Sequence, residues 1–387
     1  MKRTVIVMLV VALLGSVVAG GVAATESGTA TTQASCEFPV ELEDNSGQAI
    51  TLEEEPQEVV VLAPNNAQHM WEIGAQEKVI GMPVNPYTSY LDGSEERTHV
   101  VDQQGIPVQE EVVSLEPDLV IAASITPEDS IQQLRDAGLT VYQTPLMGSV
   151  DDMLTEVERM GQLVGACEGA TETVEETRQR ITEIEQAVSD EENPSVYYDL
   201  GFPFTVGEGT LENELITMAG GDNIALEADK PSYFQISEEV IINNDPEWLI
   251  LSEGASIPDV TAIQESTAVK EDQIIRVNPN YISQHGPRNV IALETMAEAL
   301  HPDAMAELDA TPTPTPSPTP TATSTSDGTA TATPTSTETP MDETTPAPTE
   351  TMTPEGEDSS DDDGAGFAVG AAVAALAVFG LVGRYRR

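Results

Sequence analysis

Between residues 58 and 300 the chain alternates two hydrophobic patterns. One is a short unbroken aliphatic run, too brief for a helix and lacking the polar alternation of a half-solvated strand; it marks a strand covered on both faces. Runs of this kind stand at 58–63, 79–80, 119–122 and 248–252, and further short strands are expected at 140–143, 196–200 and 274–277. The other pattern places apolar residues three or four apart, the spacing of one helix face. It predicts helices over 65–74, capped by Asn65 and stopped by Gly74, over 129–137 before Gly138, over 211–219 before Gly220-Gly221, and over 289–300. Strand and helix in alternation imply parallel sheets with helices on both faces.

Two longer helical stretches interrupt the alternation. Ser149 caps one that carries Met153, Val157, Met160 and Val164 on a single face, and residues 168–189 continue with Val174, Ile181, Ile184 and Val188 at helical spacing. The second reads as a spine. On either side of it one phrase occurs twice: Glu110-Glu111-Val-Val-Ser-Leu-Glu116-Pro117-Asp118 runs into aliphatics up to Ala122, and Glu238-Glu239-Val-Ile-Ile-Asn-Asn-Asp245-Pro246-Glu247 runs into aliphatics up to Ile250. A repeated acid-headed segment, Pro-acid turn and buried strand imply two similar α/β lobes, each Rossmann-like with a short parallel sheet. One helix joins them, and a cleft between them is suited to a small ligand. The expected divisions are an N-terminal segment at 25–57, a lobe at 58–148, a helical region at 149–192 and a second lobe at 193–310.

Charge restricts where such lobes work. With 67 Asp and Glu against 15 Lys and Arg the formal net charge is -52. In dilute buffer that self-repulsion opposes the compact state, whereas concentrated salt screens it, so the sequence points to a halophile. No basic stripe exists to neutralise phosphates, which excludes nucleic acid as a partner and disfavours a membrane-surface role for the lobes.

The chain ends carry their own signals. Residues 1–24 have the basic, apolar and small-residue parts of a secretory signal, with cleavage expected near Ala24. Residues 311–363 are Thr/Pro-rich and then acidic, a composition that stays extended and solvated, so they read as a stalk with hydroxyls open to glycosylation. Residues 364–387 combine an apolar stretch just long enough to span a bilayer with a final Arg384-Tyr385-Arg386-Arg387, which places the lobes outside the cell. This tail resembles the Pro-Gly-Phe sorting signal of haloarchaeal surface proteins, which implies processing by a sortase-like enzyme, although Ala365 stands where that proline belongs. The chain has two cysteines, Cys36 and Cys167. In an exported protein they most simply pair, closing a loop worth about 4 kcal/mol.

Four segments carry a resemblance that covers roughly residues 36–309: Val59-Val-Val-Leu-Ala-Pro64, Leu115-Glu-Pro-Asp-Leu-Val-Ile121, Gly207-Glu-Gly-Thr-Leu-Glu-Asn-Glu-Leu-Ile216 with Ala219-Gly-Gly-Asp-Asn-Ile224, and Gly286-Pro-Arg288. Together they resemble the periplasmic-binding-protein family that delivers cobalamin and ferric siderophores to ABC importers, most strongly its cobalamin-binding branch. The resemblance implies two rigid lobes, a shallow inter-lobe cleft holding a large ring-shaped solute, and a monomer that meets the permease subunits of an importer. It also implies that one glutamate per lobe docks on permease arginines. Seven residues before Pro117 and Pro246 stand Glu110 and Glu239. The alternative is that these are ordinary helix-start acids favoured by the helix dipole.

For the cleft the resemblance implies Tyr90, Phe204, Tyr233 and Arg288 as ligand-binding residues. Phe204 reads equally as satellite core, and Arg288 either meets an anionic group or pairs with one of the many acids. His285 beside it is an axial-ligand candidate for cobalt or haem iron, a solvated loop histidine being the simpler reading. The four histidines show no metal-site spacing, and no catalytic motif is present, so the expectation is a binding protein without cofactor, metal or reaction. Besides cobalamin, a ferric siderophore or haem suits the same reading, and a structural or adhesion module on a glycosylated stalk is the alternative from another class.

Overall fold

The structure, a computed structural model, describes residues 36–310. The expected signal segment, stalk and C-terminal span lie outside the described residues. Among those residues no helix is long and apolar enough to cross a membrane.

The chain opens on a hairpin that the hydrophobic pattern did not announce, β1 (Val40–Glu43) with β2 (Ala49–Leu52). Its turn is organised by Asp44, whose buried carboxylate accepts from Ser46 N and Gln48 N and from Arg135 at 2.5 Å. The N-terminal lobe follows as β3 (Val59–Val61), α1 (Pro64–Glu72), β4 (Val79–Met82), β5 (Thr98–His99), α2 (Gln109–Ser114), β6 (Leu119–Ala122), α3 (Glu128–Asp136) and β7 (Val141–Gln143). The strands form one parallel sheet in the order β5-β4-β3-β6-β7. Residues of β3, β6 and β7 are buried throughout, the cause of the unbroken aliphatic runs of β3 and β6, while β7 buries Tyr142 and Gln143 beside Val141.

Then come α4 (Val150–Val164) and α5 (Cys167–Val188). Ser149 caps α4 by accepting from Asp152 N, as its position in the sequence implied. Gly165 ends α4 at a φ of 75°, and a Cβ at Gly161 would overlap Ala170, so glycine lets the two helices pack closely. Cys36 and Cys167 are joined with Cα atoms 5.7 Å apart, fastening the chain before the hairpin to the first residue of α5.

The C-terminal lobe comprises β8 (Ser195–Tyr198), β9 (Phe204–Val206), α6 (Leu211–Met218), β10 (Asp222–Asn223), β11 (Tyr233–Gln235), α7 (Glu238–Asn244), β12 (Trp248–Ser252), α8 (Thr261–Gln264), α9 (Thr267–Lys270), β13 (Ile274–Val277), α10 (Pro279–Ile282), α11 (Asn289–Leu300) and α12 (Pro302–Ala310). Its main sheet is parallel, β10-β8-β12-β13, and β9 and β11 make a separate antiparallel ribbon. A single core cluster runs from Val59 and Met70 through Val157 and Ile184 to Val196, Leu293 and Met296. Apolar packing thus continues from one lobe through the spine into the other and favours a fixed inter-lobe geometry.

One expected detail is corrected. Asn65 does not cap the first helix: α1 starts a residue earlier, with Pro64 at its first position and Ala63 as an N-cap without a side-chain bond. Proline lacks the N–H that a cap would have to satisfy there, which is why it can open the helix itself. The expected last helix ends at 300, and within the expected lobe limit of 310 a further helix follows: α12 folds back on α5, with Met305 buried and Asp309 on Arg180.

Candidate functional site

The repeated phrase occupies the same station in both lobes. In each sheet the first strand is central, and the chain crosses to its other side at β6 in one lobe and β12 in the other. Open parallel sheets hold ligands beyond their carboxyl ends, at such crossover points. The phrase builds the opposite end of the strand. Val112 and Ile241, five residues ahead of the prolines, are fully buried, and the residue before each proline, Glu116 or Asp245, takes a positive φ, 49° and 39°. The acid after each proline then holds the neighbouring strand: Asp118 accepts from Gln57 N at 2.8 Å and Glu58 N at 3.0 Å, and Glu247 accepts from Ser195 N at 2.8 Å. The Pro-acid pair is therefore a register clamp. Glu110 and Glu239 lie exposed in the first turns of α2 and α7.

At the carboxyl ends of the strands, loops from both lobes meet along a hydrogen-bonded seam. Gln68 Nε2 donates to the Tyr90 hydroxyl at 2.8 Å, and that hydroxyl donates to Gln284 Oε1 at 2.9 Å. Gln284 Nε2 donates to the Tyr87 carbonyl at 2.7 Å, and Arg288 N donates to Gln68 Oε1 at 3.2 Å. His69 Nε2–H donates to the His285 carbonyl at 3.0 Å. The loop after β7 touches the C-terminal lobe through Gly148, where a Cβ would stand 3.1 Å from the Gly209 carbonyl, and Val150 N donates to Glu214 at 2.7 Å. These contacts form the floor between the lobes.

Each of the four expected ligand residues can be placed against that floor. Tyr90 and Arg288 come together, the guanidinium 4.9 Å from the ring centroid, but Arg288 Nε also donates to Glu72 at 2.6 Å. Its charge is matched across the lobes, the second of the two roles open to it. Tyr233 donates to Glu212 at 2.8 Å, and His285 Nε2 lies 3.4 Å from the same carboxylate, so Tyr233 joins the floor through that buried acid. Phe204 pairs with Gln235 in the ribbon where Val206 pairs with Tyr233, which places Phe204 and Tyr233 on one face.

His285 is not a solvated loop residue: its side chain is only 12% exposed. Burial opposes its charge, yet the Glu212 carboxylate outweighs burial and raises its pKa above the ordinary histidine value. Burial likewise opposes the Glu212 charge, and His285 reverses this and lowers its pKa, so each partner favours the charged form of the other. His69, fully buried with no carboxylate beside it, is instead lowered to about 4 by desolvation.

Sequence reasoning missed Glu212, one acid among many in its motif, and it missed the apolar wall. Tyr87, Ile125 and Leu146 stand exposed in the loops after β4, β6 and β7, Ile125 at 60% and Leu146 at 63%. The available signal was a lone large apolar residue just beyond a buried strand. A separate groove between α1, α5 and α11 holds Arg180 and Arg288, but Arg180 is matched by Glu183, Glu294 and Asp309, so no free cation is offered there. Among the described residues no cluster of three or more His, Cys, Asp or Glu could hold a metal ion.

Residues 59–281 match the family described as periplasmic binding protein. Over 281 residues, 69% of this chain and 75% of the relative, the sequence is 38% identical to a cobalamin-binding protein of Halobacterium salinarum. The fold is similar to the periplasmic vitamin B12 binding protein of Vibrio cholerae, with a TM-score of 0.54 and 24% identity over 63% of this chain and 96% of that one. It is also similar to a periplasmic heme-binding protein of Roseiflexus sp. RS-1, with a TM-score of 0.57 and 22% identity over 64% of this chain and 99% of that one.

Proposed function

The chain belongs to the periplasmic binding protein family, as a solute-binding component of an ABC importer without a reaction of its own, and from that premise we propose that it captures a corrinoid and hands it to the permease. The observation that carries the ligand class is the two-sided cleft. One side offers exposed Tyr87, Ile125 and Leu146, the other Phe204 and Tyr233 over a buried polar floor. Such a pair of walls suits a large ring with an apolar face and a polar edge. The identity to the Halobacterium salinarum protein favours cobalamin as that ring. A haem or ferric chelate, likewise a large ring-shaped or ring-sized solute with an apolar surface, suits the same two walls and is the second reading.

Glu110 and Glu239 are proposed to dock on cationic residues of the permease pair, one per lobe, by charge-assisted hydrogen bonds. The net charge of -52 and the haloarchaeal relative support a halophilic setting. We propose export by the leader at 1–24, a stalk at 311–363, and tethering of a monomer at the outer membrane face by 364–387, with sortase-like processing of that tail.

Calorimetry of the full chain in multimolar salt tests the ligand. Cobalamin is expected to bind at micromolar Kd or tighter, about -8 kcal/mol, with haem and ferric siderophores much weaker. Binding of iron chelates alone would transfer the protein to the second reading. Failure to bind any of them would leave the adhesion-module alternative.

A further inference from the structure

Seven large apolar side chains are exposed among the described residues, and they are not scattered. Tyr87, Ile125 and Leu146 stand in the loops after β4, β6 and β7, and Ile291 sits in the groove beside α5. The remaining three are Ile106 in the N-terminal lobe and Leu226 and Ile242 in the C-terminal lobe. Ile106 follows β5 and Leu226 follows β10, and each of those is the edge strand of its sheet, so both residues stand past corresponding edges on the carboxyl side. In each lobe the next acid-headed helix then begins: α2 with Glu110-Glu111, α7 with Glu238-Glu239. Ile242, 61% exposed, is three residues on from Glu239 and shares its helix face.

An acid-bearing patch that occurs once per lobe suits a partner presenting a cationic surface twice. The medium decides what else that contact needs. In molar salt the screening length falls to about 3 Å, so long-range attraction between acid and cation is lost, while burial of apolar surface keeps its strength or gains. We infer that each lobe end is a mixed docking foot for the outward face of the importer's two-fold permease, and that its aliphatic part, Ile242 above all, supplies most of the affinity in concentrated salt. The inference rests on the importer reading and extends it from two glutamates to a second, apolar component. It also gives the lobes unequal shares, because the position on α2 that corresponds to Ile242 is Val113, which is half-buried.

The test is binding of full-length, cobalamin-loaded protein to its permease complex in nanodiscs at 1 M and 4 M KCl. Ile242→Ser is expected to weaken binding at least tenfold at 4 M, with cobalamin affinity unchanged as the check on folding. Ile106→Ser is expected to do less. The Glu110→Ala/Glu239→Ala double variant is expected to lose more at 1 M than at 4 M. Ile242→Asn guards against an effect peculiar to serine. If both Ile242 variants bind the permease like wild type at 4 M, the inference falls and the importer reading stands. If the wild-type protein does not bind the permease at either salt concentration, the importer reading itself falls.

Discussion

The two lobes carry the same framework and opposite walls. Each has its crossover strand preceded by a short acid-headed helix, a positive-φ acid, a buried proline and an acid that clamps the neighbouring strand. Beyond the carboxyl ends they diverge. The N-terminal lobe presents exposed Tyr87, Ile125 and Leu146 and buries a neutral His69. The C-terminal lobe sets acids into its floor: Glu212 against His285, and Asp199, which burial raises to about 6 against a bond from the Tyr197 hydroxyl. A duplicated scaffold therefore does not impose duplicated chemistry. The repeat preserves what aligns strands, while the loops after those strands set what each wall offers a solute.

Breaking the C-terminal wall is expected to have the largest effect. Glu212→Ala would leave His285 and Tyr233 without their buried partner and should cost about 3–5 kcal/mol in guanidinium unfolding. Leu146→Ser on the opposite wall should stay within about 0.5 kcal/mol in unfolding. It should nonetheless weaken solute binding roughly tenfold, as loss of an apolar contact worth about 1.5 kcal/mol does. Equal stability losses for both variants would erase the contrast.

The pH dependence of stability should separate the lobes next. His69 has a folded pKa of about 4, below its unfolded value, so its contribution is present above pH 6.5 and is lost as pH falls from there through about 4, roughly 3 kcal/mol in all. His285, raised in the fold, acts with the opposite sign: its contribution is present below pH 6.5 and is lost as pH rises through its folded value. His69→Gln should flatten the acid limb of a stability–pH curve, and Glu212→Gln the limb above neutrality. An acid limb unchanged in His69→Gln would refute the assignment.

The smallest effect concerns what the lobes share. Asp118→Ala and Glu247→Ala each remove a carboxylate that accepts backbone N–H groups at a strand start, and each should cost about 1 kcal/mol by thermal unfolding. Asp118 holds two such groups, at 2.8 and 3.0 Å, so its loss should be the larger.

Much of this framework was legible because it depends on local pattern. Strands buried on both faces are mostly aliphatic, so β3, β6 and the Leu249-Ile250-Leu251 centre of β12 stand out in the sequence. Ser149 caps by reaching a backbone N–H three residues on, and the repeated Pro-acid phrase locates the two crossover strands. The hairpin β1–β2 was not legible, since its turn depends on Asp44 meeting Arg135, 91 residues away. The β9–β11 ribbon was hidden for the same reason, its two strands pairing across α6 and β10. Glu212 and Glu214 flank the same asparagine, yet one is fully buried against His285 and Tyr233 and the other reaches Val150 N.

By itself, then, the sequence determined the class of fold, the duplication, the spine between the lobes and the acidic surface, because each rests on periodicity, on composition or on residues near one another in the chain. Only the tertiary structure decided the wall chemistry: that Arg288 is matched by Glu72, that His285 is buried on Glu212, and that Ile125, Leu146 and Ile242 face outward. Burial and partnership at those positions come from distant chain segments, 216 residues apart for Arg288 and Glu72, and a residue's own neighbours in sequence carry no record of what the fold brings against it.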